Sequence, residues 1–204
     1  MNYSELKAAI ASWAKRSDMT AVIPTLVQLA EARIAREVRV RAQLQITTLT
    51  ASSGSAALPA DFLEFKALVY AEDATPLRVG SLEQVLSDRA RISGYRPKFC
   101  IVTSDAIQFG PSADASYTLN AAYYGKFPAL SGETDTNWLL TNHPGVYLWA
   151  ALAEASPWMQ EDQRVAVWEA KYAQDKAAML AADKAAEFSG TGLELSMTHT
   201  QEVV

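Results

Sequence analysis

Apolar residues recur at helical spacing near both ends of the chain and alternate along its middle. Leu6, Ile10 and Trp13 share one face of the segment 4–16, and Ser4 is placed to cap it. After SDMT, the residues Val27, Ala30, Ile34 and Val38 form the stripe of a second predicted helix over 24–41, with Pro24 in its first turn. The two segments read as a helical hairpin. From Leu44 the period drops to two. LQITTLT, EFKALVYAE, KFCIVT, AIQFG and SYTLNAAYYG read as strands, and PLRVG as a shorter one, punctuated by SSGS, TSD and PSADA. One predicted helix interrupts them, SLEQVLSDRAR, with Ser81 and Gln84 in capping-box spacing. The helical period returns over 144–158, started by Asn142 and Pro144 and broken at Ser156-Pro157, and again over about 161–188. The pattern predicts an α+β fold: a helical bundle from the N- and C-terminal helices with a central β-rich insertion. The expected divisions are a hairpin at 1–43, the β-rich insertion with one short helix at 44–136, helices completing the bundle at 137–188, and an extended arm at 189–204.

The predicted helix over 144–158 is unusual. Val146, Tyr147, Leu148, Trp149 and Leu152 cover most of its circumference, and Glu154 is its one charge. A helix apolar all round is buried on all sides. In a chain of 204 residues this points to a neighbouring subunit over one face, with Trp149 in the core or between subunits. The nine alanines between Ala166 and Ala186 point the same way, because small side chains let helices approach closely.

Half the residues are hydrophobic and a fifth charged, enough for a sizeable core. The net charge of −5 argues against affinity for nucleic acid through phosphate neutralisation, but not against an acidic pore through which DNA slides. Cys100 stands alone in a strand-like stretch, so it is expected as a buried free thiol. The N-terminal stretch lacks the apolar core of a signal peptide, and no apolar run reaches the ~18–20 residues of a membrane span. A soluble protein made in the cytoplasm is expected.

Chemistry is sparse. His143 and His199 lack ligand spacing, so no metal is expected, and the GTG at 190–192 follows a helix rather than a strand, so no cofactor is either. Glu154, Glu161 and Asp162 could form an acid–base group, but they suit the start of the last helix better. Arg33, Arg36, Arg39 and Arg41 crowd the end of the second helix, with Glu37 four residues from Arg33 and from Arg41. They form either a solvated helix end or a contact with carboxylates of an adjacent chain; Arg33, Arg36, Arg39 and Trp149 are the expected inter-subunit residues. Leu193, Leu195 and Met197 alternate, which suits an arm lying along a sheet edge or in a groove.

Four stretches, taken in order, carry a family resemblance: IPTLVQLAEARIAREVRVR, LPADFLEF, IQFGPSADASYTLNAAYYGKFPALS and TNWLLTNHPGVYLWAALAEASPWMQEDQRVAVWEAKY. Together they resemble the head–tail adaptor, or connector, proteins of short-tailed bacteriophages, of the type in phage SU10. The resemblance runs from about residue 3 to 180 and weakens over 77–97 and after 188. It implies a structural virion protein of the head–tail neck, with no catalytic residues and no cofactor. It implies a homo-oligomeric ring, usually twelve-fold, beneath the portal protein, which extends the DNA channel and meets a distal tail or nozzle protein. Genomic DNA would pass through without sequence-specific binding, and no membrane would be involved. The arm with Leu193, Leu195 and Met197 would then reach the portal or a neighbouring copy. Two other readings remain open: a virion-associated peptidoglycan hydrolase using Glu154, Glu161 and Asp162, or another neck or tail-completion protein.

Overall fold

The computed structural model describes residues 1–16, 18–52, 54–91, 95–113, 115–155 and 163–187. The first helix, α1 (Tyr3–Ala14), is capped by Asn2 rather than Ser4: the Asn2 side chain accepts from the Glu5 amide at 2.9 Å, and Glu5 returns the bond to the Asn2 amide at 3.0 Å. Helix α2 (Ile23–Glu37) has Pro24 in its first turn but stops four residues short of the expected end, because Val38 turns to extended backbone. A single 3-10 turn, Arg41–Gln43, leads into the sheets.

The strands are β1 (Leu44–Ala51), β2 (Ser55–Ala57), β3 (Phe62–Tyr70), β4 (Arg78–Val79), β5 (Phe99–Val102), β6 (Ala106–Gly110) and β7 (Tyr117–Gly125). They form a three-stranded sheet in the order β1-β7-β3 and a four-stranded sheet in the order β2-β6-β5-β4. All pairings are antiparallel except that of β4 with β5. Helix α3 (Leu82–Arg91) packs on β5 and β6, and Ser81 Oγ accepts from the Gln84 amide at 3.1 Å, as the spacing predicts. Leu68, Tyr70, Cys100, Ile107, Phe109 and Leu119 fill a core between the sheets. Burial pushes the Cys100 thiol up to about 11.

Helices α4 (Trp138–Asn142), α5 (Pro144–Ala153) and α6 (Arg164–Glu187) complete the described chain. The residues just ahead of the predicted apolar helix form the short helix α4, capped by Asn137. Asn137 is buried and fully used: Oδ1 accepts from the Leu140 amide at 2.9 Å, while Nδ2 donates to the Pro128 carbonyl at 2.9 Å and to Tyr147 Oη at 2.8 Å. Helix α5 is the hub of the larger core and packs against α1, α2, α4 and α6. Val146, Tyr147, Leu148, Ala150, Ala151, Leu152 and Ala153 are all buried within the single chain. The expected need for a neighbouring subunit over this helix is therefore corrected. Its alanines let α2 and α6 close in, and the chain covers its own apolar helix.

The expected architecture is corrected too. Among the described residues there are six α-helices and two sheets, with α3 in the sheet half. The middle of the chain has a hydrophobic core of its own, so it is a second half of an α+β fold and not an insertion carried by a bundle. The helical half is organised around α5, against which α1, α2, α4 and α6 pack.

Candidate interaction surface

Helices α2 and α6 are joined by a seam of charge. Arg33 grips both oxygens of the Glu169 carboxylate, Nη1 donating to Oε2 at 2.9 Å and Nη2 to Oε1. Its Nε donates to Glu37 at 3.1 Å, Glu154 lies 3.6 Å away, and the guanidinium sits 4.3 Å from the Tyr172 ring centroid. Glu37 accepts from the Tyr172 hydroxyl at 2.9 Å and from Lys176 Nζ at 2.5 Å. Burial alone would raise the Glu37 carboxyl, but Lys176, Tyr172 and Arg33 together outweigh it and bring it down to about 2. Arg41 closes the far end, donating to Asp183 at 3.0 Å and to the Ala186 carbonyl at 3.1 Å.

Arg39 lies past the end of α2. Its Nη1 donates to the carbonyls of Ala35 at 2.8 Å and Val38 at 2.7 Å, satisfying the open end of the helix, and its Nε reaches Glu64 at 3.3 Å. Arg33, Arg39 and Arg41 are thus engaged within the chain. Arg36 is different. It is exposed, and among the described residues it has no hydrogen bond or ion pair.

Arg36 stands on the rim of a groove of about 380 Å³ between α2, the start of β3 and the segment after β7. Lys126 stands on the same rim, also exposed and without an ion-pair partner among the described residues. The lining is mostly apolar and includes Ile34, Leu63, Phe127 and Tyr147. Glu31 also lines it and accepts from the Leu130 amide at 2.9 Å; burial raises its carboxyl above the usual range. The arrangement can take an apolar group below and a carboxylate above. A second cavity, of about 360 Å³, has Arg96 and Tyr70 in its wall. Arg96 is already held by both oxygens of Asp73 at 2.7 and 2.8 Å and stacks 3.5 Å from the Tyr70 ring centroid, so it has no free charge to offer.

Trp149 is half-buried at the margin of the larger core. Its Nε1 donates to Asp175 at 3.1 Å, and its ring meets Trp13 edge-on at 5.0 Å. Trp13 is 51% exposed, so the pair brings aromatic surface to the outside of the helical half. Glu154 is spoken for by Arg33, while Glu161 and Asp162 lie outside the described residues, as do Leu193, Leu195 and Met197. Among the described residues no group of three or more His, Cys, Asp or Glu side chains could hold a metal, and no helix is long and apolar enough to cross a membrane.

Sequence reasoning missed Lys126, Leu63 and Phe127, which chain separation hides from any local pattern. It also missed the α6 side of the seam, although Glu169, Lys176 and Asp183 recur every seventh residue and so fall on one helix face.

The family model for the SU10 adaptor protein matches residues 1–193. The chain belongs to this family of phage adaptors and is a structural component of the virion. None of the curated proteins matches it.

Proposed function

We propose that the chain is the head–tail adaptor of a short-tailed phage, assembling with further copies into a ring under the portal that extends the DNA channel and joins the capsid to the tail. The observation that carries this reading is the family match over 1–193, nearly the whole chain. The exposed cations at Arg36 and Lys126 and the paired rings of Trp13 and Trp149 support it, because they are among the features the described residues leave for contacts outside the chain. Arg33 and Arg39 would then shape the inter-subunit face by fixing α2, while Arg36 and the Trp149 edge meet the next copy. Twelve copies, the portal above, a distal tail or nozzle protein below, and DNA passing without sequence-specific contacts complete the proposal. The net charge of −5 suits a channel wall to which DNA does not adhere. The arm with Leu193, Leu195 and Met197 serves as a docking element in the assembled neck.

Mass photometry of the purified chain mixed with portal rings tests the reading. A species heavier than the portal by an integral ring of chains is expected. Portal and chain running apart at micromolar concentration would overturn it.

A further inference from the structure

We propose that the free chain is a two-fold dimer, in which the open edge of β1 pairs with β1 of a second copy, antiparallel and centred on Thr47. The inference does not rest on the ring. Every contact within a cyclic ring joins unlike surfaces, so this pairing belongs to chains that have not yet assembled.

Strand β1 lies at the edge of its sheet, in the order β1-β7-β3. The direction of its backbone groups is fixed at its far end. Ser52 exchanges two hydrogen bonds with Ser55, so its N–H and C=O point away from β7. Alternate residues of a strand point the same way, which directs Leu44, Ile46, Thr48 and Thr50 to the open edge. Thr118, opposite Thr50, agrees: its carbonyl accepts from Ala71 on the β3 side. Among the described residues nothing hydrogen-bonds to the outward N–H and C=O groups of Leu44, Ile46, Thr48 and Thr50.

Nothing guards this edge. Strand β1 carries no charge, no proline and no register shift, and Ile46 is 80% exposed. The opposite edge of the same sheet is guarded throughout. Strand β3 is broken by register shifts, its Glu64 and Lys66 are tied to Arg39 and Glu187, and its last residues bond to Thr75 and Leu77. Strands β2 and β4 have only three and two residues.

Hydrogen-bond complementarity identifies the occupant. Antiparallel pairing about Thr47 sets Leu44 against Thr50 and Ile46 against Thr48, and by symmetry the reverse. Each outward N–H and C=O then meets its counterpart. A centre at Ile46 leaves Thr50 unpaired, and a centre at Thr48 sets Leu44 against Ser52, which Ser55 already occupies. About Thr47 the exposed Ile46 lies diagonally across from its own copy, within side-chain reach. Both strands are already held extended by β7, so pairing orders little that is not ordered before.

Sedimentation velocity of the full-length chain at tens of micromolar should show a species of twice 22.2 kDa. Thr48→Pro removes an N–H that faces the open edge and none that faces β7, so the monomer should keep its urea midpoint. Each copy loses one bond across the two-fold, and the dissociation constant should rise roughly tenfold or more. Thr47→Cys reads the register. The residues on the two-fold form a non-hydrogen-bonded pair about 4.5 Å apart at Cα, within the span of a disulfide. Mild oxidation should join two Thr47→Cys chains, while Cys100, 1% exposed, stays out of the reaction. A wild-type chain that stays monomeric overturns the proposal, as does a dimer indifferent to Thr48→Pro or one that Thr47→Cys does not cross-link. So does a monomer whose Ile46 and Thr48 amides resist exchange, because another segment of the chain then fills the edge. A dimer without a ring on the portal leaves this contact standing and sinks the adaptor reading; a ring from a chain that is monomeric when free does the reverse.

Discussion

Arg33 on α2 holds Glu169 on α6 with two parallel hydrogen bonds, while its remaining edge touches Glu37 and its face lies on Tyr172. One side chain, 17% exposed, thus holds together three acidic residues and an aromatic ring from both helices and the end of α5.

Replacing Arg33 by Met should destabilise the chain by about 2–3 kcal/mol, because Glu37, Glu154 and Glu169 are left facing one another without their shared cation. Arg33→Lys should recover little of this, since an ammonium cannot make the two-point contact. Urea unfolding followed by circular dichroism measures both.

Glu37 sets a pH dependence with a definite sign. Its carboxyl falls from an ordinary 4.5 to about 2 in the folded chain. Between those values the unfolded chain binds the proton and the folded chain does not, so stability is present above 4.5 and is lost as the pH drops toward 2. Glu37→Gln should flatten the acid limb of the urea midpoint. Glu31 has the opposite sign: burial raises its carboxyl, so its contribution is lost as the pH rises, and Glu31→Gln should remove that loss.

Gly110 ends β6 beneath α3. A Cβ there would lie 3.0 Å from both the Cα and the carbonyl oxygen of Val85, backbone atoms that cannot turn aside. Gly110→Ala should cost about 1–3 kcal/mol. The loss should appear in the sheet half, read as faster amide exchange at Cys100 and Phe109, with α5 amides less affected.

The two rings of the Trp13 and Trp149 pair should respond unequally. Trp149→Ala removes a half-buried ring and its hydrogen bond to Asp175 and should cost about 3 kcal/mol in the monomer. Trp13→Ala, on the exposed side, should cost under about 1 kcal/mol. If the edge is an inter-subunit contact, Trp13→Ala should still weaken assembly, which sedimentation velocity would show.

Much of the fold was legible because periodicity is a local property. The change from period 3.6 to 2 at Leu44 located the first strand, and Ser81 with Gln84 marked the start of α3. Helix α4 shows where that signal fails: Trp138–Asn142 is too short to display a period, and the polar Thr141, Asn142 and His143 separate its apolar residues from those of α5. The expectation that α5 needs a neighbouring copy over one face did not follow from the residues alone. An apolar circumference says that a helix is covered, but not by which chain, and here α1, α2, α4 and α6 suffice. The arginine cluster was legible as a set and not as individuals. Which member stays free depends on Glu169, Asp183 and Glu64, brought in from distant positions.

Cryo-electron microscopy of the purified chain incubated with portal rings tests the central claim most directly. The proposed adaptor should appear in class averages as a ring stacked coaxially on the portal, with copies repeating at constant angle around an open channel. Portal particles that carry no added ring, in the presence of excess folded chain, would contradict it.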